Sequence, residues 1–244
     1  MPFLDHLEEL RWRLVKAVGA LAVGFGAAFW FAWTHDVITP LVYPVRKLLP
    51  EGALMYTHPM GKFTILMQVA GVIGVMLASP VIAYQVWAFL SPAMHPRERR
   101  VIVPVLGFAA ALFIAGVALA WFLFVPVTID MMEGVKTDAL KPLITAESYF
   151  GFMIFTCLAF GAVFELPILS LVLTALGILT PAALAGARRW AAAISLVVCM
   201  IITPGDFVLT TLMLWIPVYG LYELSIVVSW VVDRAKRRRA AAAA

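Results

Sequence analysis

Long apolar runs, separated by short polar or proline-rich intervals, make up most of this chain. Six runs stand out: Val15–Trp33, Phe63–Phe89, Val101–Val125, Ser148–Ile178, Trp190–Thr203 and Phe207–Val232. A helix needs about 20 apolar residues to cross a hydrocarbon core. Every run but one meets that length; Trp190–Thr203 has only 14 residues and is short for a full crossing. The pattern predicts an all-α integral membrane protein with six transmembrane helices.

The intervals carry their own signals. Residues 2–14 predict a separate amphipathic helix lying along the interface, with Phe3, Leu7, Leu10 and Leu14 at helical spacing and Glu8, Glu9, Arg11 and Arg13 on the polar side. Asp5 followed by Glu8 resembles a capping box. Residues 34–62 hold Pro40, Pro44, Pro50 and Pro59 but also Leu41, Val42, Tyr43, Val45, Leu48 and Leu49. Proline forbids one long helix there, and the apolar content argues against a floppy linker. A compact cap of short helical turns on the outer face is expected. Leu90–Arg100 is bounded by Pro92 and Pro96 and packs Arg97, Glu98, Arg99 and Arg100 into four consecutive positions. A second outer loop is expected over 126–147, TPGD at 203–206 reads as a tight turn, and Pro217 and Glu223 interrupt the last run. A kink is expected near Pro80.

Composition agrees. The chain has 244 residues, 64% hydrophobic and 13% charged, with mean hydropathy +0.99. Soluble domains average about 45–50% apolar and about 25% charged. One bundle over 1–239 accounts for the runs, with a basic tail at 233–239; the alanines at 240–244 are given no role. Cys157 and Cys199 lie within apolar runs, without disulfide or metal-ligand spacing, and are expected to be buried small hydrophobes. The N-terminus lacks the pattern of a signal peptide, so the first run is expected to remain.

Charge sets the orientation. With both termini inside, the inner segments hold thirteen Lys and Arg residues and the outer loops hold five: Arg46, Lys47, Lys62, Lys136 and Lys141. The positive-inside rule then predicts cytoplasmic N- and C-termini. The net charge of +4 is spread over several loops and suits lipid headgroups better than nucleic acid.

Few charges fall within the runs. Glu165 lies mid-run, where an acid costs roughly 2.5–3.5 kcal/mol on insertion scales. It reads either as a protonated acid bonded to a neighbouring helix or, preferred here, as a polar dent or pathway residue. Glu223 is expected to snorkel or to pair with a tail arginine. Asp206 caps the next helix or meets a partner. Glu9 pairs with Arg13 one turn on, and Glu98 with its neighbouring arginines; alternatively, the two carboxylates together receive a dibasic ligand, since carboxylates bind guanidinium bidentately.

No HExxH, GxSxG, P-loop or GxGxxG pattern is present, and no enzyme, cofactor or metal is expected. Three function classes follow: a receptor, an ion-coupled small-solute transporter using Glu165, and a membrane scaffold. No inverted repeat is visible, which weakens the transporter.

HLEELRWRL at 6–14, SPVIAYQVWAFLSPAMHPRERR at 79–100, FGAVFELPI at 160–168 and TPGD at 203–206 closely resemble the TatC family, the multispanning receptors of the twin-arginine protein translocase. The resemblance spans almost the whole chain in order. It implies a glove-like six-helix bundle with short helices five and six. It also implies recognition of twin-arginine signal peptides of folded cargo on the cytoplasmic face of the bacterial inner membrane, with export driven by the proton-motive force. Glu9, Arg11, Phe89, Glu98 and Arg100 match the family's signal-peptide site. Pro44 and Pro80 match functionally sensitive prolines. Glu165 matches the intramembrane acid and Asp206 the acid of the outer turn. Met200, Thr203 and Thr210 match a partner-docking strip; other members carry Gln at position 210, and Thr has a shorter reach. The implied partners are single-span membrane proteins of the TatA and TatB type, the signal peptides, the lipid bilayer and further copies of the chain.

Overall fold

The computed structural model describes residues 3–49, 53–90, 102–133, 144–202 and 208–241. Ten α-helices occupy most of them: α1 (Phe3–Thr34), α2 (Ile38–Leu41), α3 (Gly61–Leu90), α4 (Ile102–Leu119), α5 (Val125–Glu133), α6 (Ala146–Phe164), α7 (Leu166–Ala175), α8 (Pro181–Gly186), α9 (Arg188–Ile202) and α10 (Val208–Ala241). Among the described residues the only β-pairing is an isolated bridge between Met55 and Thr145. Among the described residues, five stretches are long and apolar enough to cross a membrane: Leu7–Thr34, Gly61–Phe89, Gly107–Met131, Ala146–Ala175 and Thr211–Arg234. Large apolar side chains such as Val23, Trp30, Phe122 and Ile201 are exposed along these helices and on α9, as lipid-facing positions are. The chain is a multi-pass membrane protein.

Two compact units emerge. The described residues of Met1–Leu90 and Leu106–Gly161 form one, and those of Ser91–Val105 and Ala162–Ala244 the other.

In the first unit α1 and α3 pack along their length as an antiparallel pair. They touch where both lack a side chain: a Cβ on Gly24 would lie 2.7 Å from the Gly74 carbonyl oxygen, and one on Gly74 would lie 2.8 Å from Phe25 backbone atoms. Glycines are enriched where membrane helices touch, yet of the three glycines of the first run, Gly19, Gly24 and Gly26, only Gly24 makes such a contact; Gly19 and Gly26 face open space. Further along the pair, Phe29 meets Phe63 edge-on, with ring centroids 6.2 Å apart.

The N-terminal segment is not a separate interfacial helix. It is the first part of α1, which runs 32 residues without a break. No glycine or proline separates residues 3–18, so nothing ends the helix before the apolar run. Asp5 consequently lies within the first turns and not at a cap.

Pro80 sits inside α3. It has no N–H to give the Met76 carbonyl four residues earlier. The Ser79 hydroxyl donates to that carbonyl instead, at 2.9 Å.

The third run is also longer than expected. After α4, a π-helical turn over Ala120–Phe124 leads into α5, with the Val125 N–H donating to the Ala120 carbonyl. The wider turn carries the helix past Pro126, so residues 126–133 are helical rather than loop. Phe124 meets Phe160 of α6 at a tilt, with ring centroids 5.2 Å apart.

The interval after α1 is a compact cap of short turns, as its prolines and apolar residues predicted. α2 is followed by a 3₁₀ turn over Tyr43–Leu48 that opens with Pro44 and contacts α5. Val45 is fully buried. Asp36 accepts from the Thr39 N–H at 3.0 Å, and the bonds it receives from Thr39 hold its carboxyl below the usual range. Tyr149 of α6 donates to the Leu41 carbonyl at 2.6 Å, and Glu147 accepts from the Thr57 N–H at 2.8 Å.

In the second unit α7 and α10 share a polar seam. The Ser170 hydroxyl reaches the Ser225 carbonyl at 3.4 Å, and Thr174 Oγ1 lies 2.5 Å from Ser229 Oγ. All four residues are buried. α7 ends at Gly177, whose φ of +79 reverses the chain while the Ile178 N–H returns to the Leu173 carbonyl at 3.0 Å. Thr180 then caps α8, accepting from the Ala183 N–H at 3.2 Å.

α9 has 15 residues and spans roughly 22 Å at about 1.5 Å each. It falls short of the roughly 30 Å core, as its run predicted. Trp215 of α10 ties to it, its indole N–H donating to the Ala192 carbonyl at 3.1 Å and to Ser195 Oγ at 3.0 Å. α10 is not interrupted at Pro217 or Glu223: it runs 34 residues, through the tail to Ala241. Lys, Arg and Ala favour helix, and cations suit a helix C-terminus, so the tail prolongs the helix. Cys157 and Cys199 are both buried.

Candidate functional site

The family-type site residues fall on several elements. In the first unit, Glu9 and Arg11 sit near the start of α1. Fifteen residues separate Glu9 from Gly24, and fifteen separate Gly74 from Phe89. Since Gly24 and Gly74 are in contact and the helices run oppositely, Glu9 and Phe89 occupy the same level at one end of the pair. Glu9 accepts from Arg13 Nε at 3.0 Å and also pairs with its Nη2, the i,i+4 arrangement the spacing predicted. Arg11 is exposed, its guanidinium 5.9 Å from the Trp12 ring centroid. Phe89 is half-buried. Glu98 and Arg100 lie outside the described residues. That end of the pair therefore offers a carboxylate, an exposed guanidinium and an aromatic ring within one unit.

Pro44 and Pro80 have the structural roles given above, opening the 3₁₀ turn and removing one backbone donor from α3. Neither lies near the Glu9 level: Pro80 is nine positions before Phe89 on α3, and Pro44 is in the cap.

In the second unit, Glu165 stands at the joint between α6 and α7. Pro167 creates that joint, because it lacks an N–H and its ring crowds the carbonyl four residues back. The Glu165 N–H turns to the Ala162 carbonyl at 3.2 Å, and its own carbonyl accepts from Leu169 at 2.9 Å. Its side chain makes no cap hydrogen bond and is half-buried. Among the described residues no side chain hydrogen-bonds this carboxyl, so the reading of an acid bonded to a neighbouring helix finds no described donor. Met200 lies near the end of α9 and is 58% exposed. Thr210 is in the first turn of α10, and its side chain is not described; Thr203 and Asp206 lie outside the described residues.

Glu223 corrects an expectation. Its partner is Arg188, not a tail arginine. Arg188 Nε and Nη2 approach its two oxygens at 2.9 Å each, and Tyr219 donates to it at 2.9 Å. Arg188 opens α9, whereas the tail arginines continue along α10 three or more turns beyond Glu223. Next to Glu223 on α10, Tyr222 donates to the Leu184 carbonyl of α8 at 2.6 Å. These bonds pin the α8–α9 corner to α10 and fix the direction in which α9 carries Met200.

Sequence reading missed the Arg188–Glu223 fork and the α7–α10 seam. The fork joins residues 35 apart and leaves no local signal. The seam does leave one: Ser170 and Thr174, and Ser225 and Ser229, are each four apart in apolar runs, the spacing of small polar residues on one helix face.

Known proteins resemble this chain over nearly its whole length. A family model described as Sec-independent protein translocase protein (TatC) matches residues 5–217. A Sec-independent protein translocase protein TatC of Aquifex aeolicus is 35% identical over 239 residues, 97% of this chain and 98% of that protein. TatCy of Bacillus subtilis is 34% identical, covering 99% of this chain and 94% of that protein. TatC of Escherichia coli is 33% identical, covering 97% and 92%. A crystal structure of a twin arginine translocase receptor, TatC, in DDM superposes with a TM-score of 0.80 at 35% identity, over 92% of this chain and 99% of that one.

Proposed function

We propose, from the premise that this chain belongs to the TatC family of Sec-independent protein translocase proteins, that it is the core receptor of a twin-arginine translocation complex. Acting as one six-helix domain over 1–239 in the bacterial inner membrane, with both termini cytoplasmic, it binds the signal peptides of folded proteins and passes them to export driven by the proton-motive force. It works without a cofactor and without catalysis. Single-span partners of the TatA and TatB type dock on the short helices near Met200, Thr203 and Thr210, beside Glu165 and Asp206, and further copies of the chain join the complex.

The observation that carries this reading is the shared level of Glu9 and Phe89 in the α1–α3 pair, one residue from the segment that leads to Glu98 and Arg100. A carboxylate pair, Glu9 and Glu98, suits two guanidinium groups, because each carboxylate accepts an arginine fork. The Phe89 ring suits the apolar stretch that follows the arginines in such a peptide. Glu9 is engaged with Arg13, so peptide arginine competes with Arg13 for that carboxylate. An i,i+4 helix pair of this kind is worth only about 0.3–0.5 kcal/mol, a modest barrier to exchange.

The test is photo-crosslinking from positions 9 and 98 to a twin-arginine signal peptide, with a twin-lysine peptide as control. Crosslinks with twin arginine alone are expected. Equal crosslinks to both peptides would show a surface that is merely acidic, and the carboxylate model would fall.

A further inference from the structure

At the tail end of α10, a groove of about 740 Å³ opens between α8 and α10. That volume is within the ~300–1,000 Å³ range of small-ligand sites. Pro181, Ala182 and Ala185 form one wall, and Ile226, Val227 and Trp230 the other. Val227 and Trp230 are half-exposed at 56% and 51%, so the groove is apolar and open along the helix. Its rim is charged: Arg234 stands over the Trp230 ring at 4.9 Å, and Asp233 lies beside it. α10 does not stop there. It continues to Ala241, and Lys236, Arg237, Arg238 and Arg239 follow in its next turns. Five cations against one acid thus occupy 233–239, where a membrane-spanning helix leaves the bilayer.

Each feature selects the same ligand chemistry. An aromatic ring with a cation stacked on it sits naturally at the headgroup level. Four or more Lys and Arg residues immediately after a span attract anionic headgroups. An apolar groove continuous with that rim accepts a hydrocarbon chain. We propose that this groove holds an anionic phospholipid of the bilayer, its phosphate at Arg234 and the basic end of α10, its acyl chain along Ile226, Val227 and Trp230. The site is distinct from the Glu9–Phe89 end of the α1–α3 pair and does not depend on signal-peptide binding.

A bound lipid would brace α8 against α10 through contacts other than the Tyr222–Leu184 hydrogen bond. It would also anchor the depth of α10, because a headgroup gripped at Arg234 cannot slide along the helix.

The experiment is native mass spectrometry of the full chain released from nanodiscs containing equal amounts of phosphatidylglycerol and phosphatidylcholine. Wild type is expected to retain phosphatidylglycerol over phosphatidylcholine by about tenfold or more. Arg234→Gln should lower that preference about fivefold, the weight of one cation near an anionic surface. Ala182→Trp, which fills the groove from an exposed position on α8 and leaves every charge in place, should lower retention of phosphatidylglycerol by a similar factor. Circular dichroism of both variants checks that they remain folded. Equal retention of the two lipids by wild type overturns the proposal. So does a preference that vanishes only on neutralising 236–239 and survives both Arg234→Gln and Ala182→Trp, since that would be diffuse attraction to the tail.

Discussion

Proline in a membrane helix leaves a specific carbonyl without its donor, and in α3 the neighbouring residue repairs it. Ser79 donates to the Met76 carbonyl that Pro80 abandons. The bond matters only while residue 80 is proline. Ser79→Ala is expected to destabilise the protein by about 1 kcal/mol in the native background. In a Pro80→Ala background, where the residue 80 N–H returns to Met76, the same change should be close to neutral. Thermal unfolding in detergent of the two singles and the double measures the difference, and equal costs in both backgrounds would refute the repair. Ser79 and Pro80 are adjacent, so the amino-acid sequence alone makes this bond legible. The partner of Glu223 is not legible in that way: its fork with Arg188 depends on where α8 turns the chain, which nothing around Glu223 encodes.

At the scale of helices, glycine spacing alone did not say which residue makes a contact. Gly24 and Gly74 let α1 and α3 touch backbone to backbone, whereas Gly19, Gly26 and Gly71 face open space. A Cβ at 74 would sit 2.8 Å from backbone atoms that have no freedom to rotate away, so one helix must shift. Gly74→Val is therefore expected to cost about 1–3 kcal/mol, the usual range for overpacking. Gly71→Ala, one turn earlier on the same helix, should cost nothing or stabilise slightly through helix propensity. Unfolding midpoints of the two variants compare them directly; equal midpoints would mean that the crossing tolerates a wider separation. Helix existence was legible in the runs, including the shortness of α9, because length and hydropathy are properties of a segment. Helix ends were less so. α1 absorbed the amphipathic segment, a π turn carried the third run past Pro126, and α10 absorbed the tail. In each case continuing hydrogen bonds outweighed a change of polarity, which marks where a membrane ends and not where a helix ends.

For the whole molecule, the distribution of cations carries the orientation. Six crossings would put thirteen Lys and Arg residues on one side against five on the other, and that orientation predicts that single cysteines at His58 and at Ala240 label from opposite faces of sealed vesicles, in a background with Cys157 and Cys199 replaced. Labelling of both from the same face would mean an even number of crossings between the cap and the tail, and α9 would be the first candidate for a helix that does not cross. Membership of the TatC family was legible from four short segments, and the matching relatives cover nearly the whole chain. The Arg188–Glu223 fork was not, because it joins residues 35 apart in sequence.

The seam between α7 and α10 has an electrical consequence. A membrane potential does work on charge displaced through it, about 2.3 kcal/mol per elementary charge per 100 mV. The side chains that lock these two helices, Ser170, Thr174, Ser225 and Ser229, are neutral hydroxyls. A voltage across the bilayer neither strengthens nor loosens their grip. The field therefore acts on this pair through its charges, among them Glu165 at the start of α7 and the basic end of α10, and not through the bonds that join the two helices.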